Sequence, residues 1–198
     1  LVPSSRIENP HRKLWGFSPS PPTISAMDME KILRHMAWAN QQVIGQIAAM
    51  PKEALDAYAV NPEWTVGTIV RHIASASNWY VWRLLDRESF TAEEKASWDA
   101  RLKEDDEESP KMQDLTYVLE VLRSSDALLL EQSRLPDADV PREFRGEQHV
   151  FKRSTILSQT VHHATEHRAQ AVSALESRGF TSINLDDFDV WSYQIKVG

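Results

Sequence analysis

Four stretches of about twenty residues repeat apolar side chains at three- and four-residue steps, and that period fits only helices that each bury one face. The first begins at Asp28, a plausible N-cap, carries Ile32, Met36, Asn40, Val43, Ile47 and Met50 on one stripe, and stops at Pro51. The second is expected over 65–85, with the stripe Ile69, His72, Ala76, Trp79 and Arg83 flanked by Ile73, Tyr80 and Leu84. The third is expected over 114–135, between Pro110 and Pro136, with Leu115, Val118, Leu122, Ser125 and Leu129 turned inward. The fourth is expected over 154–178, from Ser154 as N-cap to Gly179 as the residue that ends it. No long alternating strand competes with these helices. The expected fold class is therefore all-α, a four-helix bundle.

The connections carry their own signals. Thr91 and Glu94 have capping-box spacing, which predicts a short extra helix near 92–103 within an insertion spanning 87–110. The acids Glu104 to Glu108 that follow read as a solvated run without a ligand role. Residues 140–152 are expected to form a small hairpin about Arg145-Gly146. The first 25 residues hold five of the ten prolines and one acid, Glu8, without an apolar signal core. Residues 1–26 are thus read as a leader or cloning-derived arm, and 27–198 as one domain.

Composition narrows the function. A net charge of −7 without a clustered basic face argues against nucleic acid as a partner. No apolar run reaches the roughly 18 residues of a membrane helix, so no membrane partner is expected. The chain has no cysteine. Disulfides, thiolate nucleophiles and Cys-ligated zinc are excluded, and a cytoplasmic location is expected. No glycine-rich phosphate loop occurs among the 6 glycines.

The candidate chemistry sits on the second and fourth helices. In HHATEHRAQ, His163 and His167 are four apart, which brings both imidazoles to one helix face. His72 falls within the stripe of the second helix, where an unpaired polar ring would be costly. A bundle can converge such rings on one ion, leaving coordination positions open for water or substrate. Spacing alone leaves a second reading open, because seven histidines can produce such a pair by chance and His72 can be a hydrogen-bonded core residue. His162 points about 100° away from His163, His35 is one step off the first stripe, His149 is placed in a loop and His11 in the leader. Asn40 and Gln170 are read as bonds between helices. Arg168 is read as a contact to a carboxylate across the bundle or an exposed cation, and Glu166 as a partner or proton acceptor beside His163. Trp79, Tyr80 and Trp82 are read as core or dimer contacts.

Several segments, in order, resemble the DinB/YfiT-like superfamily. They are AWANQQVI at 37–44, WTVGTIVRHI at 64–73, HHATEHRAQ at 162–170 and LDDFDVW at 185–191. The resemblance spans about residues 27–192. It implies a divalent metal held by His72, His163 and His167, with zinc or nickel as the first choice and iron or manganese as alternatives. It implies a small-molecule substrate and a homodimer. It further implies a metal-dependent transferase that uses a low-molecular-weight thiol, which must come from a cosubstrate because the chain has none. The alternatives are a non-enzymatic metal-binding or stress-response bundle, and a metal-dependent hydrolase. Catalytic side chains beyond the ligands are not identified. Ala169 stands where the family often has Gly, a change expected to tighten helix packing.

Overall fold

The computed structural model describes residues 26–198, with side chains from Met29 onward. Residues 1–25 of the leader lie outside the described residues, and Asp28 is not the cap of the first helix, which already starts at Ala26. Six α-helices and one two-stranded sheet follow in the order α1 (Ala26–Ala48), α2 (Val66–Leu84), α3 (Ala92–Glu104), α4 (Leu115–Ser133), β1 (Asp139–Phe144), β2 (Glu147–Lys152), α5 (Arg153–Glu176) and α6 (Val190–Lys196). Short 3-10 turns at Lys52–Asp56, Pro110–Gln113 and Leu185–Phe188 complete the chain. Among the described residues, no helix is long and apolar enough to cross a membrane.

The four long helices surround one apolar core. α1 and α2 each pack against both α4 and α5. Met36, Ile44, Ile47, Ile69, Ile73, Leu122, Leu129 and Leu175 are among its largest fully buried members. The expected inward set of α4, Leu115, Val118, Leu122, Ser125 and Leu129, is buried throughout. Two stripes differ from expectation. On α1 the buried face starts at Met29 and Leu33, whereas Ile32 is exposed. On α2 the buried face is Ile69, Ile73, Ser77 and Leu84, with Val66, Val70, Ala74 and Val81 beside it. The stripe His72, Ala76, Trp79, Arg83 instead runs along the margin of the core, and Trp79 is exposed. A marginal stripe still shows helical period, because the helix is apolar around much of its circumference.

The caps follow local chemistry. Thr65 accepts from the Thr68 amide, and Thr91 with Glu94 forms the expected reciprocal box. Asp114 caps α4 through the Thr116 amide. Ser154 is not the cap of α5, because the helix already starts at Arg153. Asp137 reaches across instead, accepting from the Ser154 amide and hydroxyl, both at 2.9 Å. At the other end Gly179 adopts φ +86°. The Phe180 amide bonds Leu175 O and the Gly179 amide bonds Glu176 O, which is a Schellman closure.

The hairpin forms as expected, and its turn is set by Arg145 (φ 54°) and Gly146 (φ 81°). Two positive φ values in succession match the right-handed twist of paired strands. His149 consequently lies in strand β2, not in a loop, paired with Arg142. The hairpin covers one end of α2 and α5.

The acidic run is solvated only at Glu104 and Glu108. Asp105 is buried, accepting from Asn78 Nδ2 at 2.5 Å and from the Tyr117 hydroxyl at 2.6 Å. Arg101 joins the same knot, donating to Asn78 Oδ1 at 2.7 Å. The end of α3 is thereby tied to α2 and α4, and the next two residues are brought over the side of α2. His35 is also more than a bystander. It is buried, with Nε2 2.9 Å from Phe188 O, and docks the C-terminal segment on α1.

Candidate metal centre

α2 presents His72 and α5 presents His163 and His167 to one point. His163 Nε2 lies 3.1 Å from His72 Nε2 and 3.1 Å from His167 Nε2. Three ligand nitrogens, one from each ring, all lie within 4.8 Å of one another. Among the described residues this is the one His, Cys, Asp and Glu group of three or more with that property. The rings are half-buried and framed by aromatic edges. Trp64 stands edge-on to His72 at 5.2 Å and to His167 at 5.6 Å, and Tyr80 stands edge-on to His163 at 5.6 Å.

The hydrogen bonds around the rings fix which nitrogens carry protons. The Trp64 indole N–H can only donate, and it sits 2.9 Å from Gln170 Oε1. That pins the amide orientation of Gln170, so the atom 2.8 Å from His167 Nδ1 is an acceptor. His167 must then donate from Nδ1, leaving the lone pair on Nε2. His72 Nδ1 lies 2.7 Å from Glu107 Oε2, a carboxylate that accepts, so its Nε2 is also bare. Two lone pairs therefore aim at His163 Nε2, which has at most one proton to offer. Two imidazole nitrogens each 3.1 Å from a third fit a shared cation. Tetrahedral ligands at about 2.0–2.1 Å from zinc stand roughly 3.3–3.4 Å apart.

Burial favours the neutral form of His163 and His167, the form that ligation requires. Burial, followed by the mutual repulsion of His167 and His72, pulls His163 down to about 4. Burial also lowers His167, against an opposing bond from Gln170.

The neighbouring candidates separate cleanly. Gln170 bonds between helices through Trp64, as expected, and also orients His167. Glu166 is exposed and reaches only Gln170 Nε2, at 3.5 Å. Arg168 is buried on the opposite face of α5 and is not an exposed cation. It donates to Asn40 Oδ1 at 2.5 Å and to Thr165 Oγ1 at 3.1 Å. Asn40 is thus a bond between α1 and α5. Asp126 is the carboxylate whose charge reaches Arg168, without a hydrogen bond. Ala169 is exposed, so its methyl does not tighten helix packing. His162 is exposed. Trp82 packs on Trp98 at 5.7 Å, whereas Tyr80 and Trp79 line the pocket beside His163.

Sequence reasoning missed Glu107 and Trp64 as orienting groups. Glu107 lies in an irregular stretch, where periodicity has nothing to read. Trp64 offered a signal, since it directly precedes the Thr65 cap of the helix that carries His72.

Comparison with known proteins places the chain. Neither the curated proteins nor the solved structures include a match. The model of the DinB family matches residues 25–196, nearly the whole described chain, and the three-histidine cluster with its helical frame is compatible with metal binding; the chain belongs to the DinB family.

Proposed function

We propose that the chain is a metal-dependent enzyme built on a four-helix bundle of the DinB/YfiT-like type, with His72, His163 and His167 as the ligands of one divalent ion. The carrying observation is the pair of fixed tautomers, His72 through Glu107 and His167 through Gln170, which aim two lone pairs at the third ring. Zinc or nickel suits three neutral imidazoles. The ligand set leaves the side toward Ala76, Trp79, Tyr80 and Arg83 open, in a pocket of about 300 Å³ that His72 and His163 border. A small molecule can enter there.

The reaction proposed is transfer to or from a low-molecular-weight thiol. A bound divalent ion there would lower the thiol pKa, so that thiolate is available at neutral pH. The chain supplies no thiol of its own, having no cysteine. Its residues hold the ring tautomers and shape the entry beside Tyr80. A homodimer is part of this proposal. The exposed apolar residues Val190, Trp191 and Ile195 around α6 offer it a surface, and a monomer by light scattering at micromolar concentration would remove it.

Cobalt substitution tests the reaction class. Thiolate ligation should add sulfur-to-metal charge-transfer absorption when mycothiol, bacillithiol, glutathione or a simple thiol is added. Spectra unchanged by all four would favour the hydrolytic or the non-enzymatic reading.

A further inference from the structure

The groove between α2 and α5 continues past the histidines. Beyond the 300 Å³ pocket lies a second one of about 280 Å³ beneath the hairpin, lined among others by Arg142, Phe144, Phe151 and Gln159. Tyr80 and Arg83 border both, so the two are neighbours. On α5, Thr155, Gln159, His163 and His167 recur at four-residue steps and share a face. The hairpin pocket therefore lies about one helical turn, roughly 5–6 Å, along α5 from His163.

Acids line both pockets, Glu143 in one and Asp106 and Glu107 in the other, but none of them pairs with Arg83. The Arg83 guanidinium makes no hydrogen bond or ion pair among the described residues. Arg142 differs, because its guanidinium is engaged by carbonyls. It donates to Arg83 O at 2.6 Å, to Leu85 O at 3.0 Å and to Pro141 O at 2.6 Å. Burial lowers the Arg142 pKa, the positive charges of Arg87 and Arg83 add to that, and Asp86 and Glu88 offset part of it. Glu143 also lines the pocket, but pairs with neither arginine. Arg83 is thus a cation at the meeting of an apolar pocket and the histidine pocket, with no acid paired to it among the described residues.

We propose that the hairpin pocket binds the body of the substrate, and that the substrate is a small apolar carboxylate whose anionic group pairs with Arg83. This rests on reading the three-histidine centre as the reacting end. The rings of Tyr80, Phe144 and Phe151 give an apolar wall for an aromatic or branched body. A planar guanidinium fork matches a carboxylate, and one free guanidinium balances one negative charge. On a chain of net charge −7, a cation with no acid paired to it among the described residues gives an anion a place to rest. The volume is at the small end of ligand sites, about 300–1,000 Å³, and suits a body the size of a phenyl group.

The test uses 3-phenylpropanoate and its amide as probes, titrated by ligand-observed NMR into the full chain, both chelator-stripped and zinc-loaded. The acid should bind both forms, and the amide should bind at least tenfold more weakly. R83Q should weaken the acid about tenfold and leave the amide unchanged, R83K should recover part of the loss, and F151A should weaken both probes. Equal binding of acid and amide, an R83Q affinity equal to wild type, or acid binding only to the zinc-loaded form would overturn the proposal. Zinc uptake and helical circular dichroism are read on the same samples. A failure of the three-histidine reading then shows as missing zinc, whereas a failure of the Arg83 subsite shows as an unchanged R83Q affinity.

Discussion

Removing the Glu107 carboxylate should loosen the metal without disturbing the fold. The carboxylate sits 2.7 Å from His72 Nδ1 and holds the tautomer that frees Nε2. Loss of such an outer partner typically costs 10–100-fold in metal affinity, about 1.4–2.7 kcal/mol. Both side chains are about one-third exposed, at 30% for His72 and 34% for Glu107, so water can take over as acceptor. The lower end of the range is therefore expected, about tenfold for Glu107→Ala. Glu107→Gln should cost less, because its amide oxygen can still accept from Nδ1. Glu108→Ala, in the same acidic run but exposed, should change nothing and controls for general charge. Competition against a chromogenic chelator at neutral pH reads the affinity, and far-ultraviolet circular dichroism checks the helices. An affinity for Glu107→Ala within twofold of wild type would refute the argument that this carboxylate orients His72.

Two further substitutions probe the frame. Leu122 is fully buried between the long helices, so Leu122→Ala should cost about 2–5 kcal/mol in urea unfolding, and a loss below about 1 kcal/mol would contradict its place in the core. Burial pushes Asp126 up to about 7, against an opposing pull from Arg168, and neither carboxylate oxygen has a hydrogen-bond partner among the described residues. A raised acid favours the folded state at low pH, and that contribution is lost as pH climbs from about 4 through about 7. Asp126→Asn should therefore gain in melting temperature relative to wild type between pH 5 and pH 8, at about 2–4 °C per kcal/mol for a chain of this size. A difference that stays flat across that range would contradict the burial argument.

The long helices were legible because their apolar steps and their stops are local properties. Pro51, Pro136 and Gly179 act on the chain where they stand. The histidine pair on α5 was legible for the same reason, since four residues make about one turn. Convergence with His72 was not fixed by periodicity, because His72 lies on the margin of the α2 core face and not in its centre. What the sequence hid is what depends on distant chain. Asp137 replaces Ser154 as the cap because the loop before the hairpin swings it over the start of α5. Asp105 is buried and Glu107 reaches His72 because the knot with Asn78 and Tyr117 folds the acidic run back on α2. No periodic signal marks either residue within five successive acids. Ile32 and Met29 show a smaller version of the problem, since both fit a helical stripe and only the packing decides which is buried.

Metal content measured on the full chain, purified without a nickel column, tests the central claim most directly. A nickel column could load such a nitrogen site, given the rise in affinity from iron to nickel. Elemental analysis should find about one divalent ion per chain, or stoichiometric uptake of added zinc by stripped protein. His163→Ala should lose that ion while keeping its helical circular dichroism, because the apolar core supplies most of the stability at this chain length. Full occupancy in His163→Ala, or a wild type that takes up no metal, would contradict the account.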